Sequence, residues 1–231
     1  MLDQAIRFGA ILAQPEFEAA GRLLEVGSGF RGITAFVRQP VVGVDVNFSE
    51  TPTATLTALR ASATELPLKD RSFDGVVCSD MLEHLPEGTR AAAIREMLRV
   101  TRGALFLACP CGRSARRVDA LLGRLYRALR VPLPAWLQEH LALGLPEPAA
   151  IRRALNETGA RWREIPGENA LMHFLVVLLI STRIFNRFWN CWLYRNPGAA
   201  RRLGTSSLLS GRRLYRRLWV VQPAEFVQKR L

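Results

Sequence analysis

The sequence predicts a doubly wound, mostly parallel α/β sheet, and three observations carry the prediction. Apolar runs of strand length recur at residues 22–26, 41–45, 73–79 and 103–108, as expected of strands covered on both faces. Helical periodicity lies between the last two, at residues 88–100, with Ala92, Ile94, Met97, Leu98 and Val100 on the inward side. The first run, Leu23-Leu24-Glu25-Val26, opens into Gly27-Ser28-Gly29-Phe30-Arg31-Gly32. Glycines there let the backbone turn sharply and approach a ligand, and a helix starting beyond them offers free N–H groups. Strands alternating with helices at this spacing imply a parallel sheet.

Composition bounds the rest. The chain has 231 residues, 49% hydrophobic and 23% charged, enough for one α/β domain with a full core. Four cysteines, Cys78, Cys109, Cys111 and Cys191, are too few for a disulfide scaffold. The single intervening residue between Cys109 and Cys111, with no second pair, does not make a zinc site, so reduced thiols and no metal are expected. The net charge of +12 is uneven: residues 1–112 carry −2, residues 113–181 carry +4 and residues 182–231 carry +10. All basic residues but Lys69 and Lys229 are arginines. That bias reads either as the codon usage of a GC-rich genome or as a surface for phosphate groups. Asp3 near the start, with no long apolar core after it, argues against a signal peptide and for a cytoplasmic protein.

Taken in order, residues 1–20 form a helix broken near Pro15, with Ile6, Ala10, Ile11, Phe17 and Ala20 apolar, covering a sheet edge or the ligand pocket. The opening strand, 22–26, and its glycine turn lead to a helix over 31–38. Pro40 resets the chain for a second strand, Val41-Val42-Gly43-Val44-Asp45, which ends in a carboxylate. An acid at that tip, about twenty residues past the glycine turn, can accept both hydroxyls of a ribose. Residues 47–55 are rich in Ser, Thr and Pro, so this crossover is irregular. A third strand follows at 55–60, a fourth at 73–79, and a fifth at 103–108.

These pieces, in this order, resemble a class I S-adenosylmethionine-dependent methyltransferase of the bacterial small-molecule and lipid type. The residues that carry the resemblance are Leu24-Glu25-Val26-Gly27-Ser28-Gly29, Gly43-Val44-Asp45, Leu66-Pro67-Leu68 with Ser72-Phe73-Asp74, and Leu82-Glu83-His84. The likeness covers residues 20–110. It implies a Rossmann-like, seven-stranded sheet and S-adenosylmethionine as cofactor. It further implies that Glu25, Gly27, Ser28, Gly29 and Gly32 form the turn that holds the methionine end, with Asp45 on the ribose and Val46 packed on the adenine. Ser62 and Ala63 would line the adenine, and Asp80 and Met81 would border cofactor and substrate. Two departures stand out. Ser62 occupies a place often held by an acid that bonds the adenine amino group, and the last glycine of the turn is displaced, with Arg31 before Gly32. Methyl transfer needs alignment and a dry site more than a fixed catalytic group. If a base is used, Asp80 and His84 are the candidates; His84 and Glu83 also read as residues that merely cap or pack at the following helix.

Beyond the resemblance, residues 113–130 form a basic amphipathic helix, with Arg113, Arg116, Arg117, Arg124, Arg127 and Arg130 against Asp119 alone. Its apolar positions are Leu121, Leu122, Leu125, Tyr126 and Leu129. Pro132, Pro134 and Trp136 end it. A helix over 147–158 and a sixth strand over 160–165 follow. The family then leads shortly to an antiparallel seventh strand, here 216–221, so residues 170–213 read as a helical insertion in a methyltransferase domain of residues 1–169 and 214–231. The apolar run 170–180 is broken only by His173 and is too short to span a bilayer. Ile184, Phe185, Phe188, Trp189, Trp192 and Leu193 then share a helix face, with Arg183, Asn186, Arg187, Asn190 and Arg195 elsewhere and Arg201, Arg202, Arg212 and Arg213 beyond. Three readings fit the insertion: docking on anionic lipid, a helical lid or dimer interface, or a slightly charged hairpin or span made costly by Arg183 and Asn186. The acceptor expected is a lipid-linked or cell-envelope glycan or another amphipathic molecule, with oxygen the favoured atom. Nucleic acid is not expected as a partner, since no recognition module is present, and the oligomeric state is left open. The rival readings are a nicotinamide-dependent oxidoreductase, which shares only the opening turn, and a non-catalytic membrane scaffold.

Overall fold

The computed structural model describes residues 2–48, 50–196, 198–206 and 213–224. Seven strands form one sheet: β1 (Leu23–Val26), β2 (Val41–Asp45), β3 (Leu56–Arg60), β4 (Phe73–Ser79), β5 (Thr101–Pro110), β6 (Arg161–Pro166) and β7 (Arg216–Gln222). Their order across the sheet is β3-β2-β1-β4-β5-β7-β6. β1 to β5 are parallel, and β7 runs antiparallel to both β5 and β6. The strand order reverses between β1 and β4, and ligands of open α/β sheets bind outside the carboxyl ends of the strands at such a point. Both strands end there at the residues singled out above, Val26-Gly27 and Ser79-Asp80.

The central strands have no polar face because helices cover both sides. On β5, Leu105, Leu107 and Cys109 pack with α3 (Glu87–Val100) and α6 (Pro148–Glu157), while Ala104, Phe106 and Ala108 pack with α1 (Leu2–Leu12) and α2 (Pro15–Glu18). α3 buries Ala93 rather than Ala92, alongside Ile94, Met97, Leu98 and Val100. The break between α1 and α2 falls at Pro15, the first residue of α2 and the one place in a helix where a missing N–H costs nothing. Cys78, Cys109 and Cys111 are buried free thiols.

Two expected elements are corrected. The helix expected over 31–38 is a single 3₁₀ turn, Gly32–Ala35, with irregular chain after it. Gly32 has φ +50°, and the β-branched Ile33 and Thr34 and the neighbouring Pro40 leave little to propagate a longer helix. Residues 130–144, read only as the end of a helix, hold α5 (Ala135–Leu143) after α4 (Gly112–Ala128).

The insertion contains α7 (Ala170–Ile180), α8 (Arg183–Arg195) and α9 (Ala199–Gly204). Arg212 lies outside the described residues. α9 crosses α1 backbone to backbone: a Cβ on Gly9 would lie 1.9 Å from Ala200 O, and one on Gly204 would lie 2.2 Å from Ala10 N. α8 does not present one apolar face. Phe185, Trp189 and Leu193 pack toward Leu2 and Ile6, whereas Ile184, Phe188 and Trp192 are exposed. The apolar arc is wider than α1 can cover, so half of it stays outside.

Candidate functional site

The glycine turn is built around two carboxylates. Gly27, Gly29 and Gly32 all have positive φ, at +79°, +54° and +50°, a region that side chains with a Cβ rarely occupy. Gly32 is needed for a second reason: a Cβ there would lie 2.0 Å from Glu25 Oε2. Glu25 tucks beneath the turn and accepts from Ile33 N–H at 2.7 Å. Its carboxylate therefore fixes the turn from below. Burial pushes its pKa up to about 8, against the opposing pull of the Ile33 N–H and Arg7.

Asp45, at the tip of β2, accepts from Gly29 N–H at 2.8 Å and from Asn47 N–H at 3.1 Å. Next to it, Val46 is 65% exposed. A Cβ built on Gly29 would meet nothing within 4 Å, so the turn faces open space. Ser62 bonds Thr64 through its hydroxyl, while Ala63 is buried. Ser28 is buried, its hydroxyl donating to Gly29 O at 3.0 Å. Met81 lies against Gly27, where a Cβ would come within 2.6 Å of Met81 Cγ. A bare turn, a carboxylate at the second strand tip and an uncovered apolar side chain beside it suit a nucleoside whose ribose and base lie along the strand ends.

Asp80 joins this cradle to a second space. It has φ +52°, unusual for a residue with a Cβ, and this conformation turns the chain between β4 and the 3₁₀ turn Leu82–His84. Arg216 donates to both Asp80 oxygens at 2.7 and 2.6 Å, and Arg7 to Oδ2 at 3.1 Å. Burial pushes Asp80 up, but the two guanidiniums outweigh it and hold the carboxyl well below the usual range. An acid held ionised this firmly is a weak base, so the expectation of Asp80 as proton acceptor is corrected to that of an anchor.

On the far side of Asp80 lies a cavity of about 400 Å³, walled by α1, α4, α5 and α7. The chain contains three histidines, and His84, His140 and His173 all line this cavity. Each is fixed by a carboxylate: His84 by Glu139 at 2.5 Å, His140 by Asp119 at 3.0 Å and His173 by Glu168 at 2.9 Å. Tyr215 stacks on His173 with ring centroids 3.4 Å apart and donates to Asp119 at 2.9 Å. Arg216 bridges Asp80 and Glu168. Sequence reading reached Asp80 and His84 but missed Arg7, His140 and Arg216, on α1, α5 and β7, and Glu168 and Tyr215, in the chain just before α7 and β7. The only signal was the isolated polar residue in an apolar segment, as with His173 in α7.

Residues 24–108 match the model of a methyltransferase domain. A comparison with the curated proteins finds no match. Among solved structures, the YcgJ protein from Bacillus subtilis is 16% identical over 96% of this chain and 98% of its own, with a TM-score of 0.54. Magnesium protoporphyrin IX methyltransferase from Synechocystis, solved with bound S-adenosylhomocysteine, is 15% identical over 96% of this chain and 83% of its own, at 0.52. A S-adenosylmethionine-dependent methyltransferase from Archaeoglobus fulgidus is 16% identical over 93% and 92%, also at 0.52. At such identities the likeness is one of fold. The domain match places a methyltransferase domain over residues 24–108, and the strand order and glycine turn give the whole chain the Rossmann-like α/β fold of the class I methyltransferases. Its cofactor is S-adenosylmethionine, which supplies an electrophilic methyl group when bound.

Proposed function

We propose that this enzyme methylates an oxygen of an amphipathic, lipid-linked or cell-envelope acceptor at an anionic membrane face on the cytoplasmic side. Within that reading the Gly27-Ser28-Gly29 turn, supported by Glu25 and Gly32, receives the methionine end of the cofactor, and Asp45 takes the ribose. Val46, Ser62 and Ala63 border the base, with Met81 at the sulfur end and Asp80 holding the wall between cofactor and acceptor. The acceptor enters the cavity beyond Asp80.

The observation that carries the membrane reading is the outer surface of α7 and α8. Leu171, Leu175 and Leu179 are exposed at intervals of four, as are Ile184, Phe188 and Trp192. These are two apolar stripes with no covering partner among the described residues, and Arg187 and Arg195 are exposed on the same helix as the second. Aromatic rings and guanidinium groups together suit the headgroup level of a bilayer. No single helix among the described residues is long and apolar enough to cross a membrane, and α7 and α8 pass that test only together, bent by 105°. The opposite face of α7, through His173 and Val177, lines the cavity. A bilayer against the outer face would therefore bring a lipid-anchored acceptor beside the cavity.

Two measurements test the reading. Calorimetric titration with S-adenosylhomocysteine should show one site, weakened in Asp45→Ala; unchanged affinity in that variant removes Asp45 from the cofactor site. Flotation with vesicles containing an anionic lipid should carry the wild-type chain upward and leave Ile184→Asp/Phe188→Asp behind. Equal flotation of the two removes the α8 stripe from the membrane contact, and a dimer that the double variant dissociates replaces the membrane by a second copy of the chain.

A further inference from the structure

Within the cavity, three side chains of metal-ligand type converge without the partners that buried polar groups require. Glu83 is fully buried, and neither carboxylate oxygen accepts a hydrogen bond. His140 Nε2 lies 3.9 Å from Glu83 Oε1, while its Nδ1 is held by Asp119. Glu139 holds Nδ1 of His84, so Nε2 is the nitrogen that remains there. One ligand atom from each of Glu83, His84 and His140 lies within 4.8 Å of the others.

The charges around the cluster leave a deficit of positive charge. Arg7 and Arg216 are committed to Asp80 and Glu168. Arg90, the next guanidinium, donates to the carbonyls of Leu82, Leu85 and Gly144. Among the described residues no guanidinium hydrogen-bonds Glu83, Asp119 or Glu139, and all three face imidazoles. An ionised carboxylate buried without a partner is strongly unfavourable.

We propose that Glu83, His84 and His140 bind one divalent transition-metal ion. One carboxylate and two imidazoles suit zinc, iron, cobalt or manganese rather than magnesium or calcium. Metal-ligating histidines normally donate their second nitrogen to a carboxylate that fixes the ring, and Asp119 and Glu139 already do so here. Tyr215 in turn fixes Asp119. Three protein ligands leave coordination positions open, the arrangement of a catalytic rather than a structural site. An acceptor hydroxyl on an open position would lose its proton to water at lower pH, leaving the oxygen ready for alkylation. This last role rests on the methyl-transfer reading; the metal site itself does not.

The test uses the full chain, stripped with chelator and titrated with Co²⁺ and then Zn²⁺. We expect one ion per chain, a visible d–d absorption band with Co²⁺, and a raised melting temperature with either ion. His140→Gln and Glu83→Gln should abolish the band, and Asp119→Asn should weaken binding by roughly 10–100-fold. His173→Gln, in the same cavity but outside the triangle, should retain one ion. Circular dichroism of each variant separates loss of ligand from loss of fold, and His84→Gln supplies a second ligand variant should Glu83→Gln not fold. A folded wild-type chain that takes up no stoichiometric ion, or that loses it equally in His173→Gln, overturns the site. S-adenosylhomocysteine binding is measured in parallel. Cofactor binding without metal refutes this inference alone, and metal without cofactor refutes the methyl-transfer reading alone.

Discussion

Arg216 is the residue on which the wall between cofactor cradle and cavity depends, and replacing it by methionine makes the dependence measurable. Its side chain is 5% exposed, its partners Asp80 and Glu168 are 13% and 1% exposed, and the change strands both carboxylates. Breaking a buried pair from one side costs about 3–5 kcal/mol, against a total stability of roughly 5–15 kcal/mol for a domain. The sign with pH follows from Asp80. Its pKa is depressed in the folded protein, so its contribution is present above the unfolded carboxylate value and is lost as pH falls below it. In Arg216→Met only Arg7 remains to hold Asp80 ionised, so Asp80 takes up a proton at higher pH and part of the penalty disappears. Urea unfolding followed by tryptophan fluorescence should therefore show a deficit of about 3–5 kcal/mol at neutral pH that shrinks toward pH 4. Adding Glu168→Gln should restore part of it, because one stranded charge is gone. A deficit under about 1 kcal/mol, or one that is constant with pH and additive with Glu168→Gln, refutes the account of Asp80 as an anchored charge.

Other parts of the molecule give further tests. Glu25 holds its proton in the folded protein up to a pH of about 8 and loses it near pH 4.5 when unfolded, so wild-type stability falls as pH rises between these values. Glu25→Gln should lack that decline and gain on wild type by on the order of 4 kcal/mol between pH 5 and 9; parallel stability profiles of the two proteins would show that the carboxyl is ionised throughout. Gly27→Ala forces a Cβ into the left-handed region and against Met81, a strain of roughly 1–2 kcal/mol, and calorimetry should find S-adenosylhomocysteine bound about tenfold more weakly. Gly204→Val places its side chain on the backbone of Gly9 and Ala10, which no rotamer change relieves. Limited proteolysis should then cut within residues 181–206 at a protease level that leaves the wild type whole, and equal resistance would mean that α9 does not need this crossing.

What the sequence determined by itself is the part of the molecule written locally. The strand runs, the break at Pro15, the irregular crossover after Asp45 and the glycine turn are all read from neighbours along the chain, and positive φ at Gly27 and Gly29 follows from the residue type the turn requires. Asp45 is legible because strand length fixes its distance from the turn. The tertiary structure decided what depends on residues far apart. Asp80 reads as a base in sequence and becomes an anchor because Arg216 and Arg7 arrive from the last strand and the first helix. Glu83 reads as a helix-start residue and becomes a buried acid facing His140, which α5 brings to it across more than fifty positions. The apolar face of α8 is continuous in sequence, yet α1 covers only half of it. Hydrophobic period and turn chemistry are properties of a few consecutive residues, whereas the charge state of a side chain is set by whichever groups the completed fold places within a few ångströms of it.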